Sequence, residues 1–203
     1  MKTIGIDLDN TIVQYDQVIY DCAVQRGFIP AQTPPNKTII RDILRSLGRE
    51  ADWTDIQGYV YGEGMKYARP FPGIIPFLKS LSSCGFYPCI ISHRTQYPYS
   101  GGDTNLHQTA MDWLVQKRIT GFPDAPIPGC RIFFECTKEK KYERIKTEMC
   151  HFFIDDLIEF LIGDLFPLDV IRVLFDPFDN YPDNPEYLRM RSWDVALQVF
   201  QRA

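Results

Sequence analysis

Short apolar runs rich in β-branched residues alternate with longer helical patterns along most of this chain, and this alternation constrains the fold more than any other feature. It is typical of a parallel sheet covered by helices. The runs are nearly continuous in apolar residues, as expected of strands that are buried on both faces. The predicted strands are Thr3 to Asp7, Tyr87 to Ser92, Arg131 to Glu135, His151 to Asp155 and Val170 to Phe175.

Helical patterns fill the segments that follow or separate these strands. They cover residues 73–84, 104–118, 139–149 and 193–202, where apolar residues recur with the period of an α-helix. Strands and helices in this order indicate an α/β fold class. We therefore expect a Rossmann-like parallel sheet with helices on both of its faces.

Residues 14–69 depart from this rhythm. They contain three helical patterns, a Pro-rich joint at 33–35 and no convincing strand, and a second Pro-rich stretch at 69–73 marks their end. The sequence therefore predicts two domains. Residues 1–13 and 70–203 form the α/β core, and residues 14–69 form a small helical domain inserted after the first strand.

The composition of the chain limits the classes of partner that it can bind. With 203 residues, of which 45% are hydrophobic, it can bury a full core. The net charge of −4 leaves no general basic surface, so we expect no nucleic-acid partner. A small phosphorylated ligand is compatible with this charge, because one buried cluster of donors can hold a phosphate inside an acidic protein.

The chain also lacks the usual signals for export or membrane insertion. Its N-terminus reaches acidic residues too early for a secretory signal, and no apolar stretch is long enough to span a bilayer. We therefore expect a cytoplasmic protein without a membrane partner, and the sequence leaves homo-oligomerisation open. The six cysteines include no CxxC pair and no histidine at zinc spacing, which predicts reduced thiols in the core.

The first predicted strand runs directly into two acids, Asp7 and Asp9. A continued strand would place both carboxylates on the same face, because side chains at i and i+2 point the same way. At ~4 Å and an effective dielectric constant of ~20, their repulsion is about 4 kcal/mol, which a proton or a bound cation must relieve. Alternatively, the two acids are solvated at the start of a turn, since Asp-Asn-Thr is ordinary turn chemistry.

Other polar residues follow the ends of later strands. Ser92 closes one predicted strand, and the pair Asp155 and Asp156 closes another. In a parallel α/β sheet the carboxyl ends of the strands line the ligand crevice, so these side chains should converge with Asp7. Lys141 precedes the strand of Asp155, and its run of lysines also has a simple interpretation as a solvated helix face.

These residues together resemble the four ordered motifs of the haloacid dehalogenase-like (HAD) hydrolase superfamily. The first motif is similar to Asp7-Leu-Asp-Asn-Thr11, the second to Ser92 after an apolar strand, the third to Lys141, and the fourth to Asp155-Asp156. The resemblance covers nearly the whole chain, because residues 14–69 fall where that family places a helical cap. It is of the phosphatase type.

The resemblance implies a magnesium-dependent hydrolase that removes a phosphoryl group from a small phosphorylated metabolite. Asp7 would be the nucleophile and would form an aspartyl phosphate. Asp9 would be the general acid and then the general base. Mg²⁺ would be held by Asp7, the backbone carbonyl of Asp9, Asp155 and Asp156, the last through water unless it acts as an orienting acid.

The resemblance also implies a set of groups that bind the substrate. Thr11, Ser92 and Lys141 would contact phosphoryl oxygens, with Lys138 and Lys140 as competitors for the role of the lysine. Arg94 is a candidate for binding a second anionic group, because its guanidinium offers a planar fork of donors. The roles of His93 and of the long loop 97–103 stay open.

Other functions are compatible with the same fold. A dehalogenase is disfavoured by Asp9, because dehalogenases of this group generally lack a second acid two residues after the nucleophile. A phosphonate hydrolase needs a Schiff-base lysine, for which Lys37 and Lys66 are candidates, and a phosphomutase also fits the motifs. A non-catalytic phosphate-binding domain is the alternative from a different class.

Overall fold

The computed structural model describes residues 2–99 and 102–201. Its strands are β1 (Lys2–Ile6), β2 (Val13–Gln14), β3 (Arg69–Pro70), β4 (Phe86–His93), β5 (Ile132–Glu135), β6 (Cys150–Asp155), β7 (Ile171–Phe175) and β8 (Leu188–Met190). Its α-helices are α1 (Asp16–Gln25), α2 (Lys37–Ser46), α3 (Glu50–Tyr61), α4 (Ile74–Ser80), α5 (Leu106–Gln116), α6 (Lys138–Thr147), α7 (Ile158–Leu161) and α8 (Ala196–Gln201). Short 3₁₀ helices lie at Glu63–Tyr67, Gly129–Arg131 and Trp193–Val195.

Within the described residues, six strands form one sheet in the order β5-β4-β1-β6-β7-β8. All of the neighbouring pairs are parallel. The predicted α/β fold class is confirmed. From β1 the chain continues to β4 on one side, whereas β6, the other neighbour of β1, leads to β7 on the opposite side. Ligands of open α/β sheets bind at the carboxyl ends of the strands next to such a reversal.

The centre of the sheet depends on a glycine. A Cβ atom on Gly5 of β1 would lie 2.5 Å from the Phe153 ring and 2.9 Å from the Cys150 Sγ, which real side chains do not tolerate. The missing side chain lets the Phe153 ring of β6 pack across β1. Phe153 belongs to a buried cluster that also contains Tyr142 and Phe160, and these two rings stack with centroids 4.4 Å apart.

The chain divides into two compact units. The first contains residues 1–13, 70–94 and 114–203, and the second contains 14–69 and 95–113. In the second unit α1, α2 and α3 pack on one another, and the later segment joins them through a hydrogen bond from Trp113 Nε1 to the Ala68 carbonyl oxygen, 3.1 Å long. The role of residues 14–69 as a cap stays a prediction.

Some elements differ from the sequence-based expectation. The helix α7 and the strand β8 were not expected, and the last of the three helical patterns within residues 14–69 is the helix α3, which ends at Tyr61 before a 3₁₀ turn. The prediction of core cysteines is wrong for Cys84, Cys130 and Cys136, which are exposed. Ser100 and Gly101 of the loop 97–103 lie outside the described residues. Across residues 2–99 and 102–201, no helix is both long and apolar enough to cross a membrane.

Candidate active site

Asp7 and Asp155 are brought together by the register of β1 and β6. Ile6 pairs with Ile154, so the residues that follow them emerge side by side at the carboxyl edge of the sheet. The backbone N–H of Asp7 donates to the Ile154 carbonyl oxygen over 2.9 Å, which continues the pairing to the end of the strand. The prediction from strand ends therefore explains why residues 148 positions apart in the sequence are neighbours.

Asp7, Asp155 and Asp156 form the acidic group of the site. One carboxylate oxygen from each lies within 4.8 Å of the others. The first two are buried, and the backbone N–H of Leu157 donates to Asp155 Oδ1 over 2.9 Å, which orients that carboxylate. Three converging carboxylates fit Mg²⁺ because it prefers hard oxygen ligands and keeps several waters.

Burial raises the pKa of the Asp7 carboxyl well above its usual value. The ammonium of Lys141 opposes this effect, whereas the negative charges of Asp155 and Asp156, and then of Asp9, add to it. The cause is that water is removed from the carboxylate and too few positive charges replace it. A cation bound at this position would lower the pKa of Asp7 again.

Lys141 is the lysine that reaches the acidic group. Its Nζ donates to Asp7 Oδ1 over 2.6 Å and to Asp155 Oδ2 over 2.7 Å. Burial alone would lower the pKa of Lys141, but the carboxylates of Asp155 and Asp7 more than offset this and raise it above its usual value. Lys141 is therefore charged at any physiological pH.

Helix α6 explains why this lysine is chosen over its neighbours. Thr137 caps the helix by accepting a hydrogen bond from the Lys140 backbone N–H, which fixes where the first turn begins. Lys141 then lies on the buried face with Ile145, one turn later, whereas Lys138 and Lys140 are exposed. Only the first of the three candidates contacts Asp7 and Asp155.

Asp9 lies apart from the three-carboxylate group and pairs with Arg94. The Nη1 atom of Arg94 donates to both carboxylate oxygens of Asp9, over 2.6 and 2.9 Å. Ser92 Oγ is 3.5 Å from Asp9 Oδ2, at the limit of a hydrogen bond. The proposed ligand from Asp9 is its backbone carbonyl, which stays a prediction.

The loop after Asp9 contains two buried polar side chains. Asn10 has φ of 61°, a left-handed conformation that asparagine tolerates, and its backbone N–H donates to the Val13 carbonyl oxygen over 2.8 Å. Within the described part of the chain, neither the Asn10 carboxamide nor Thr11 Oγ1 has a hydrogen-bond partner. Sequence analysis predicted a role for Thr11 but missed the carboxamide of Asn10, since ordinary turn chemistry already explained that residue.

One candidate takes no part in the buried arrangement, and another has a different partner from the one expected. His93 is exposed, and its Nε2 lies 3.2 Å from the Cys136 carbonyl oxygen. Arg94 is buried and its guanidinium is directed to Asp9, a pair that no local pattern predicted. All of the candidates lie in the first unit, and those other than His93 lie at the carboxyl edge of the sheet, in the loops beside it or on α6: Asp7, Asp9, Thr11, Ser92, Arg94, Lys141, Asp155 and Asp156.

Charge is unbalanced in this site. Asp7, Asp9, Asp155 and Asp156 supply four carboxylates, and Lys141 and Arg94 supply two positive charges against them. Buried carboxylates without enough counter-charge are costly, so they either keep protons or bind a cation. One divalent cation would balance the four carboxylates against the two basic side chains.

Comparisons with known proteins find relatives through structure alone. No family model matches the sequence, and no curated protein does. A HAD-superfamily hydrolase from Ehrlichia chaffeensis is 14% identical with a TM-score of 0.54, and the match covers 99% of this chain and 98% of that one. The magnesium-bound YfnB of Bacillus subtilis is 15% identical with a TM-score of 0.53, covering 98% and 97%.

A dehalogenase is also similar, with 11% identity, a TM-score of 0.56 and coverage of 98% of this chain and 96% of that one. At such low identity these matches speak for the architecture of the chain. They agree with the α/β class of the parallel sheet described above. This protein therefore has the fold of the HAD-superfamily hydrolases.

Proposed function

We propose that this protein is a magnesium-dependent phosphomonoester hydrolase that acts on a small phosphorylated metabolite. The observation that carries the proposal is the buried group of Asp7, Asp155 and Asp156, of which the first two share the single ammonium of Lys141. Such a group binds a divalent cation and then has a carboxylate of Asp7 free to attack phosphorus.

In the first step Asp7 attacks the phosphorus atom of the substrate. A bond forms between its carboxylate oxygen and phosphorus, and the bond from phosphorus to the leaving oxygen breaks. Asp9 donates its proton to that leaving oxygen, so that a neutral alcohol departs. The product of this step on the protein is an aspartyl phosphate at Asp7, with Asp9 ionised.

In the second step water releases the phosphate. Asp9 accepts a proton from the water, the water oxygen bonds to phosphorus, and the bond to Asp7 breaks. Inorganic phosphate leaves, and both acids return to their starting states. Dividing one difficult displacement into two easier ones is the advantage of covalent catalysis.

The carboxylates of Asp7 and Asp155, with Asp156 and the Asp9 backbone carbonyl, are the groups that would hold Mg²⁺. Bound there, the ion supplies neutralisation of the negative charge that otherwise separates the nucleophile from a phosphate. Oxygen ligands alone make up this set, which suits magnesium and not a soft metal.

Three side chains would hold the phosphoryl oxygens. Lys141 has three N–H donors, of which two are used by Asp7 and Asp155, so one is left for the substrate. Ser92 Oγ and Thr11 Oγ1 are buried hydroxyls close to the same strand ends. Donors fixed before the substrate arrives stabilise the charge that develops during transfer.

A dehalogenase reaction fits this site less well. A halide leaves as a weak base and needs no proton, so the acid Asp9 and its partner Arg94 would have no part in that departure. A phosphate ester leaves as an alkoxide and does need one. The presence of a second acid, Asp9, two residues after the nucleophile therefore favours ester hydrolysis.

The direct test is release of inorganic phosphate from para-nitrophenyl phosphate by the purified protein. We expect turnover with Mg²⁺, loss of turnover with excess EDTA, and recovery when Mg²⁺ is added back. The variant Asp7→Asn should retain its fold by circular dichroism and lose at least about a thousandfold in kcat, because it removes the nucleophile.

Turnover that persists in EDTA, or in Asp7→Asn, would contradict the proposal. A panel of small phosphate monoesters, phosphonates and 2-haloacids then separates the candidate reactions. We expect the highest kcat/KM with a monoester. Trapping of a substrate adduct by borohydride would instead indicate a Schiff-base lysine and a phosphonate hydrolase.

A further inference from the structure

The ion pair between Arg94 and Asp9 is buried on the arginine side. The Arg94 side chain is 3% exposed and that of Asp9 is 16% exposed, and a single nitrogen of the guanidinium donates to both carboxylate oxygens. Sequence analysis assigned Arg94 to a second anionic group of the substrate. In the structure the same guanidinium holds the acid that the proposed function uses for proton transfer.

We propose that Arg94 is a positioning residue, which fixes the carboxylate of Asp9 for proton transfer to the leaving oxygen. This inference rests on the proposed function of Asp9. It replaces the interpretation of Arg94 as a contact for a second anionic group on the substrate.

The carboxylate of Asp9 lies beyond the end of a strand, where a charged partner on a rigid element can fix its direction. Asp9 follows the last residue of β1 by three positions and lies in a loop, and Ser92 Oγ approaches it only to 3.5 Å. The carboxylate of Asp7 lies close enough to repel it, and the Asp9 side chain is 16% exposed, which leaves it room to turn toward water. Proton transfer requires donor and acceptor within about 2.6 to 3.2 Å, so a carboxylate that turns away loses its function.

Arg94 is itself well anchored. Its backbone N–H donates to the Glu135 carbonyl oxygen over 2.9 Å, directly after β4 pairs with β5. The guanidinium therefore extends from the fixed end of a strand to the partly exposed carboxylate of Asp9. A positively charged donor on a rigid element is the arrangement that holds a catalytic group in one geometry.

Leaving groups of different basicity distinguish positioning of an acid from a general structural role. An alkoxide needs a proton as it departs, whereas para-nitrophenolate leaves without one. The ratio kcat/KM reports the steps up to the first cleavage of the bond to phosphorus. Loss of a positioned acid should therefore lower kcat/KM for alkyl phosphates and leave it nearly unchanged for para-nitrophenyl phosphate.

The experiment compares wild type and Arg94→Gln on para-nitrophenyl, phenyl and glycerol phosphates. We expect kcat/KM to fall about 100-fold or more for glycerol phosphate, the usual size of a general-acid contribution, and by less than about threefold for para-nitrophenyl phosphate. Arg131→Gln is the matched control, because Arg131 also lies in a partly buried ion pair, with Glu148 at 3.0 Å. It should change none of the three ratios.

The double variant Asp9→Asn/Arg94→Gln tests whether the arginine acts through Asp9. Once Asp9→Asn has removed the acid, we expect Arg94→Gln to add less than about twofold, since two residues of one unit have non-additive effects. Arg94→Lys keeps the charge in case Arg94→Gln does not fold. We expect a smaller loss with the same dependence on the leaving group.

Equal losses for all three esters in a folded Arg94 variant would overturn the inference. A loss that appears only with substrates carrying a second anionic group would also overturn it and restore the interpretation from sequence. If wild type hydrolyses none of the esters, the proposed function fails and the role of Arg94 fails with it. If wild type is active but the loss of kcat/KM in Arg94→Gln does not depend on the leaving group, only the inference about Arg94 is rejected, and the proposed function stands.

Discussion

Two clusters of charged residues lie at the carboxyl edge of the same sheet, and they differ in how their buried charges are balanced. Beyond β1 and β6, the buried acids Asp7 and Asp155 share the one ammonium of Lys141. Beyond β7, the buried acid Asp176 pairs with Arg189 of β8, whose Nη1 lies 3.4 Å from Asp176 Oδ2. The other acids that pair with this arginine are exposed.

Asp176 is also satisfied by the backbone. The N–H groups of Asn180 and Tyr181 donate to its two oxygens over 2.9 and 3.0 Å, so the carboxylate closes the loop after β7. The other acids that pair with Arg189, Asp179 and Asp183, are 65% and 81% exposed and solvated. This cluster needs no additional cation.

Buried acids at the ends of parallel strands thus differ in how their charge is balanced. Both clusters follow parallel strands and both include a buried aspartate, but only the first leaves a buried negative charge without its own partner. Excess charge that the fold tolerates in a buried position marks a site for a ligand. A buried carboxylate whose charge is matched by a basic partner, and whose oxygens all accept hydrogen bonds, indicates a structural role.

Removal of Lys141 should have the largest effect. Lys141→Gln leaves two buried carboxylates without a counter-charge, so we expect a loss of about 3 to 5 kcal/mol in the free energy of unfolding without metal. Urea denaturation measures it, and Mg²⁺ should restore part of the loss. Lys140→Gln, on the exposed face of the same helix, should stay within about 0.5 kcal/mol of wild type. A Lys141→Gln variant as stable as wild type would show that Asp7 and Asp155 do not depend on the charge of Lys141.

Removal of the Asp176 charge should come next in size. Asp176→Asn places an amide opposite groups that donate hydrogen bonds, and we expect a loss of about 2 kcal/mol in unfolding free energy. Because this cluster is structural, kcat/KM for phosphate release by the folded variant should stay within about threefold of wild type. Loss of activity in a folded Asp176→Asn would show that the two clusters act together.

Binding of Mg²⁺ should raise stability by a smaller amount. At a concentration ten times Kd we expect about 1 to 2 kcal/mol, because the ion binds the folded state. Differential scanning calorimetry measures the shift in Tm. Asp155→Asn should abolish it, whereas Asp176→Asn should retain it, since only the first variant removes a carboxylate of the acidic group. An equal shift in both variants would contradict this assignment.

The pH dependence of stability should be the smallest effect. In the metal-free protein the pKa of Asp7 is raised, so the folded state holds a proton that the unfolded state releases. Stability should therefore fall as pH rises from the unfolded pKa, near 4, through the folded pKa. Asp7→Asn should lose this trend. Mg²⁺ should reverse it, because its binding requires the ionised carboxylate and weakens as pH falls.

Much of the site could be predicted from strand ends. The rule that parallel strands finish at one edge was enough to bring Asp7 and Asp155 together, since backbone pairing decides that geometry. The choice of Lys141 had a signal too. It lies four residues before Ile145, on the face of α6 that a core must cover.

The remaining features depend on side chains that meet across long stretches of sequence. The pair of Asp9 and Arg94 joins residues 85 positions apart and depends on rotamers, which no local pattern encodes. Strand β8 has three residues with Arg189 at its centre, so it lacks the apolar pattern of a strand. Ser192 lies at the predicted cap position, but its side chain makes no capping hydrogen bond.

The bridging position of Lys141 has a consequence for the order of events after synthesis. Its ammonium already supplies positive charge to Asp7 and Asp155, so we expect the polypeptide to reach its native form without bound magnesium. Chelation would then leave a folded but inactive protein, and renewed addition of the ion would restore activity without refolding. Folding of the chain would then not depend on its supply of metal.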